Sequence, residues 1–187
     1  MTNQSKNAFA SRLSTCARTA VLFVGVLSAS TGMAVADTPV SASAPTVAYL
    51  GTHFQNDNEM YEPTSDAERT RLKKVEEIFT TKLQQSGQYK LMPVPADVQA
   101  KIEKGQAVGE CGGCEIDYGR AVKADRIAWI RIQKVSNLIL NMNVYMADVS
   151  TEKMTFVRSV DIRGNTDDSW SIGIKWLIKH YMFQPVS

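Results

Sequence analysis

Between residues 137 and 148 apolar and polar side chains alternate. Leu138, Leu140, Met142, Val144 and Met146 fall on one side, with Ile139, Asn141, Asn143, Tyr145 and Ala147 on the other. A period of two marks a strand with one buried face, because successive side chains of extended backbone point to opposite sides. Residues 127–135 and Met154–Arg163 repeat the theme, joined to it by Ser136-Asn137 and Ser150-Thr-Glu-Lys153. Links this short predict a three-stranded antiparallel meander.

Upstream the spacing is helical. Ser65-Asp-Ala-Glu68 matches a capping box, and Leu72, Val75, Phe79 and Leu83 then recur three or four residues apart with Lys and Glu opposite them. This predicts a helix running to about Gln85 and stopping at Gly87, with one buried stripe. Thr46-Val-Ala-Tyr-Leu50, ended by Gly51, reads as a short buried strand, and the polar residues 52–63 read as loop. Residues 89–94 predict a second short strand. Pro95 with Val98 and Ile102 predicts a brief helix ending near Gly105, and a third short helix follows from about Glu115 to Lys123. Gly164-Asn-Thr-Asp-Asp168 supplies a turn and cap for a closing helix over residues 169–183. The order predicts one α/β (α+β) domain over residues 46–187, with a mixed sheet of about five strands ending in the meander and the helices packed on one face.

The N-terminus carries an address. Lys6, Arg12 and Arg18 form a basic region without an acid, Ala20-Val-Leu-Phe-Val-Gly-Val-Leu27 is apolar, and Ala34-Val-Ala36 fits the small-x-small cleavage rule. Together they predict a signal peptide over residues 1–36, removed on export, with a loose leader over residues 37–45. The apolar run is too short to span a bilayer, so no transmembrane anchor is expected after cleavage. No lipobox cysteine ends it, and Cys16 lies in the basic region. A soluble periplasmic product is expected. Cleavage turns the formal charge of +2 into −1, which removes the electrostatic footprint of a nucleic-acid binder.

The order of elements resembles the N-terminal domain of TolB and the periplasmic domain of the curli secretion protein CsgG. The matching pieces are Val47-Ala-Tyr-Leu-Gly51, the stretch from Cys114 to Gly119, Val122-Lys-Ala-Asp125-Arg-Ile-Ala-Trp129, and Tyr145-Met-Ala-Asp-Val149. The resemblance implies binding and assembly roles and transfers no catalytic residue. It also points to secreted proteins of unknown function, some of which accompany quinoprotein alcohol dehydrogenase systems. The β-propeller of TolB and the barrel hairpins and lipobox of CsgG have no counterpart here, so neither specific function carries over.

Chemistry is concentrated in Cys111-Gly-Gly-Cys114. In an oxidising compartment a short-loop disulfide is the simplest reading, worth about 2 kcal/mol by chain entropy. The spacing also suits a thiol-disulfide oxidoreductase acting through Cys111 at a helix start, although loop rather than strand precedes it. A metal clip is the third reading, but His53 and His180 stand at no ligand spacing from the pair. Glu115 replaces the His that covalent haem attachment requires, and no cofactor is expected. Hydrolase, zinc-protease and phosphate-loop motifs are missing from the sequence. Glu76-Glu77 reads as a solvated helix face and Asp167-Asp168 as a helix-terminal pair.

Two surfaces remain for binding. If the register holds, Trp129, Arg131, Asn141, Asn143, Tyr145 and Arg163 share the non-core side of the meander. In the closing helix Trp170, Ile174, Leu177 and Tyr181 form the core stripe, while Ile172, Trp176 and Phe183 gather about half a turn away, to be covered internally or by a partner. The reading that results is a non-catalytic accessory protein, supporting an envelope complex or a quinoprotein dehydrogenase system, with a periplasmic or envelope protein as partner. The alternatives are a small thiol-disulfide oxidoreductase using the Cys-Gly-Gly-Cys pair and a carrier of a small ligand on the sheet face.

Overall fold

A computed structural model describes residues 43–183. The expected signal segment, Cys16 and all but the last three residues of the leader lie outside the described residues.

The chain forms β1 (Thr46–Asn56), α1 (Asp66–Gln85), β2 (Lys90–Met92), α2 (Ala96–Lys104), α3 (Cys114–Val122), β3 (Arg126–Lys134), β4 (Ile139–Asp148), β5 (Met154–Arg163) and α4 (Asp167–Leu177). A five-residue π-turn, Ile178–Met182, extends α4. The five strands make one mixed sheet in the order β2-β1-β3-β4-β5. β1 runs parallel to β2 and β3, and β3, β4 and β5 form the antiparallel meander.

Local chemistry sets these elements. Ser65 accepts from the Glu68 amide while the Glu68 carboxylate accepts from the Ser65 amide, so the expected capping box starts α1. Val75, Phe79 and Leu83 are buried along it, as the stripe requires, and Gly87 follows the helix at a φ of 65°. At the β4–β5 turn the Ser150 hydroxyl and the Thr151 amide donate to Asp148, which holds that carboxyl down at about 2. Asp125 accepts from both the amide and the hydroxyl of Thr46, fastening the start of β1 beside the start of β3.

Three expectations need correction. The helices do not all cover one face. α1 and α4 pack on Tyr49, Ala128, Ile130, Met142 and Val144, whereas α2 and α3 pack on Ala48, Leu50, Ile127, Trp129 and Ala147 from the other side. The reason lies in β1 and β3, which carry apolar residues at consecutive positions and so need cover on both faces. Second, β1 does not stop at Leu50. Its polar continuation stays extended because it keeps pairing with β3 through Asn56↔Lys134, after one extra residue is taken up between Tyr49 and Thr52. Gly51, with φ at 107°, permits that bulge. Third, Leu138 is 74% exposed, since it lies in the turn before β4 rather than in the strand.

One node joins these parts. Lys134 and Glu68 are 3% and 1% exposed, with the Lys134 ammonium 2.8 Å from the Glu68 carboxylate. Glu68 also accepts from the Ser65 amide at 2.7 Å and from the Asn165 side-chain amide at 2.7 Å. Burial pushes the Glu68 carboxyl up, but the hydrogen bonds from Lys134, Ser65 and Asn165 outweigh it and hold the group down at about 2. A carboxyl lowered by folding stabilises the fold above its unfolded value and loses that contribution as pH falls toward its folded value. Stability is therefore expected to drop between about pH 4.5 and pH 2 with a component that Glu68→Gln removes, measured by urea unfolding across that range. Lys134→Ala at neutral pH should cost about 3–5 kcal/mol, because it strands a buried carboxylate.

Candidate functional site

The cysteine pair is joined. Cys111 and Cys114 form a disulfide with the Cα atoms 5.6 Å apart, both residues half-buried, and Cys114 opens α3. The Glu115 carboxylate lies 3.3 Å from the Cys111 sulfur. A carboxylate so close disfavours a thiolate at Cys111, which is the opposite of what an attacking cysteine needs. In the reduced state Cys111, Cys114 and Glu115 would offer donor atoms within 4.8 Å of one another. That is one ligand short of a closed tetrahedral zinc site. His53 lies in β1, and His180 lies in the π-turn with its Nδ1 2.8 Å from the Trp176 carbonyl.

The register expected for the sheet face holds, with Trp129↔Tyr145, Arg131↔Asn143 and Ile139↔Arg163 as neighbours. The face itself is divided. Trp129 is 4% exposed, stacked on Tyr145 at 5.1 Å and covered by the loop at Gly109, where a Cβ would come within 2.8 Å of the indole nitrogen. Alternation assigned Trp129 its side but could not show that α2, α3 and their connection cover it. Arg131 is engaged by Glu110 at 2.6 Å. Asn141 donates to Ser159 at 2.8 Å and Asp161 at 2.9 Å, and Asn143 donates to Asn141 at 2.6 Å. Only Arg163, exposed at the end of β5, stands apart from this ladder.

The closing helix shows the clearest surface. Trp170, Ile174 and Leu177 are buried as expected, while Ile172 is 63% and Trp176 41% exposed, so the described residues do not cover them. Tyr181 and Phe183 exchange roles. Tyr181 is 42% exposed, and Phe183 packs on the main core beside Met182. The cause is the π-turn, whose wider spacing delays the inward positions by about one residue relative to an α-helix. Trp176 stacks on His180 at 4.6 Å and meets Tyr181 edge-on at 5.5 Å, and the Arg158 guanidinium sits 5.4 Å from the Tyr181 ring.

A fourth feature escaped sequence reasoning. Beside the Gly51 bulge a cleft of about 420 Å³ opens between α1 and α2, with Gly51, Thr52, His53, Glu76, Gln106 and Trp129 in its lining. Glu76 is exposed on its helix, as expected of a solvated face, and its partial burial at the rim of the cleft pushes its carboxyl up. The signal in the sequence was Gly51 between an apolar run and a polar one, read as an end rather than a bulge. Among the described residues no helix is long and apolar enough to cross a membrane.

The fold and these surfaces define a small α/β domain built on a five-stranded mixed sheet. The chain belongs to the DUF3280 family, described as Protein of unknown function (DUF2380), whose model matches residues 45–182. Comparison with curated proteins gave no match. Among solved structures, the chain is similar to the LpoB C-terminal domain from Salmonella enterica, at 13% identity and a TM-score of 0.42, over 65% of this chain and 84% of that one. It is also similar to lipoprotein GNA1162 from Neisseria meningitidis, at 10% identity and a TM-score of 0.48, over 74% and 99%. TolB from Acinetobacter baumannii matches at 13% identity and a TM-score of 0.40, over 73% of this chain but 28% of that one.

Replacing Cys111 and Cys114 together by serine should lower stability by about 2 kcal/mol, since a short loop is released in the unfolded chain. Urea unfolding measures the loss, with the far-ultraviolet circular dichroism of the folded protein unchanged.

Proposed function

We propose that this chain is an exported, non-catalytic accessory protein whose domain, residues 46–187, docks onto an envelope protein through the aromatic end of α4. The supporting observation is the two-sided helix. Trp170, Ile174 and Leu177 seal the core, while Ile172, Trp176 and Tyr181 stay open to solvent on the same element. Large apolar side chains so placed mark interaction surfaces, and aromatic rings beside arginine are the composition of recognition sites. Lys175 and Arg158 add positive charge around the patch, so the fitting partner presents acidic and apolar groups together.

Export to the periplasm rests on the basic, apolar and small-residue pattern of residues 1–36. Glu115 beside Cys111 favours a stapling disulfide over a redox enzyme. The resemblance of the sequence to TolB and CsgG domains supports an assembly role, and the envelope complex or quinoprotein dehydrogenase system it implies would supply the partner.

Photo-crosslinking residues placed at 172 and 176, with Glu77 on α1 as control, test this in the producing cell after fractionation. Adducts to one envelope protein are expected from 172 and 176 and not from 77. Trp176→Glu should abolish the adduct formed from position 172 while shifting Tm by no more than about 3 °C, as a surface change does. Equal adducts from position 77, or collapse of the Trp176→Glu fold, would overturn the reading.

A further inference from the structure

At the end of the sheet where β1 and β3 run out, two loops meet. One, residues 57–64, follows β1, and the other, residues 135–138, joins β3 to β4. The Asp57 amide donates to the Lys134 carbonyl at 3.0 Å, and the Asn137 side-chain amide donates to the Glu62 carboxylate at 3.0 Å, so the loops are fastened side by side. Their apolar side chains nonetheless face solvent. Met60 is 85%, Tyr61 82%, Leu138 74% and Ile139 51% exposed. Large apolar groups held open on bonded loops form a preorganised contact surface.

The charge around this tip is negative. Residues 56–68 carry five acids and no base. Asp57, Glu59 and Glu62 are exposed beside the apolar groups, and Asp57 and Glu59 accept from the neutral donors Gln133 and Thr64. Of the bases nearby, Lys134 is buried against Glu68, Arg69 pairs with Asp66 at 3.6 Å, and Arg163, opposite Ile139, offsets one carboxylate. The α4 patch has the opposite sign. No acid follows Asp168 in the chain, Lys175 lies between Ile172 and Trp176, and Arg158 sits on the Tyr181 ring. The tip thus has the acidic and apolar character that the α4 patch calls for. The two cannot meet within one molecule. The tip adjoins the start of α4, where the Gly164 amide donates to the Leu138 carbonyl at 3.2 Å, and Trp176 lies roughly 15 Å further along the helix axis.

We propose that the tip of one copy docks on the α4 patch of a second copy of this chain, Tyr61 and Leu138 against Ile172 and Trp176, with the carboxylates of the tip facing Lys175 and Arg158. The contact rests on the reading of α4 as a docking patch and names an occupant for it. Because the two surfaces differ, the association is heterologous, and an open stack leaves one α4 patch free at its end for an envelope protein.

Sedimentation of the purified exported chain tests this. The mean mass of the unaltered chain should rise with concentration, up to the millimolar range, past that of a dimer. Trp176→Glu sets a carboxylate against the acidic tip, and the double variant Tyr61→Ser with Leu138→Ser removes the apolar surface of the tip, so each alone should stay monomeric. Mixed in equal amounts they should form a one-to-one dimer and nothing larger, because one intact tip and one intact α4 patch remain between them. Circular dichroism checks each fold, and Ile172→Glu replaces Trp176→Glu if that variant does not fold. A monomeric unaltered chain, association of either variant alone, or a mixture that stays monomeric would overturn the proposal. A monomeric chain that still gives the adduct from position 172 would remove the second copy and keep the docking reading, whereas a mixed dimer without that adduct would do the reverse.

Discussion

A carboxylate and an ammonium group sealed inside the protein set the terms on which the rest assembles. Glu68 belongs to the first turn of α1, Lys134 to the last residue of β3, and Asn165 to the turn between β5 and α4. Either charge alone would be costly to bury, so the three elements are stabilised only when they meet. Asn165 extends the node further. Its carbonyl oxygen accepts from Arg71 at 3.0 Å and from the Trp170 indole at 3.1 Å, which ties the largest core side chain of α4 to the same point. The apolar contacts between α1 and α4 supply bulk stabilisation, and this polar node specifies how the two helices sit.

The sheet then divides the molecule's labour. Its antiparallel half has one face under α1 and α4 and the other bearing a polar ladder of Asn141, Asn143, Ser159 and Asp161. Its parallel half is covered on both faces, and the second cover is thin, built from two nine-residue helices and the loop stapled by Cys111–Cys114. A thin layer leaves gaps, and the cleft beside Gly51 is one of them. The disulfide closes the segment that roofs Trp129 and leads into α3.

Much of this was legible in the residues. Alternation located the meander, with Met154–Arg163 bounded as found, because a strand with one wet face writes its period directly into the sequence. Ser65 and Glu68 announced the start of α1 because capping is a local event. What was illegible depends on distant partners. Nothing near Lys134 in the sequence announces Glu68, which arrives from 66 residues away, and Trp129 reads as exposed until a loop with no periodicity of its own covers it. The candidate surface was half legible for the same reason. Ile172 and Trp176 fell half a turn from the core stripe of α4 as helical spacing required, but Phe183 did not, since the π-turn has no propensity signature that spacing can detect.

The bulge in β1 carries one more implication. Val47 and Tyr49 face α1 before it, and Phe54, its ring tilted against that of Trp170 at 5.6 Å, faces the same way after it, so the strand changes from odd to even parity at Gly51. A chain that kept its length but straightened here would bring His53 inward and turn Phe54 out, whereas one that lost the extra residue together with the bulge would keep Phe54 opposite Ile132 and facing the core. Across related chains the extra residue and the bulge should therefore come and go together, as a reading frame survives an insertion only where the insertion is absorbed.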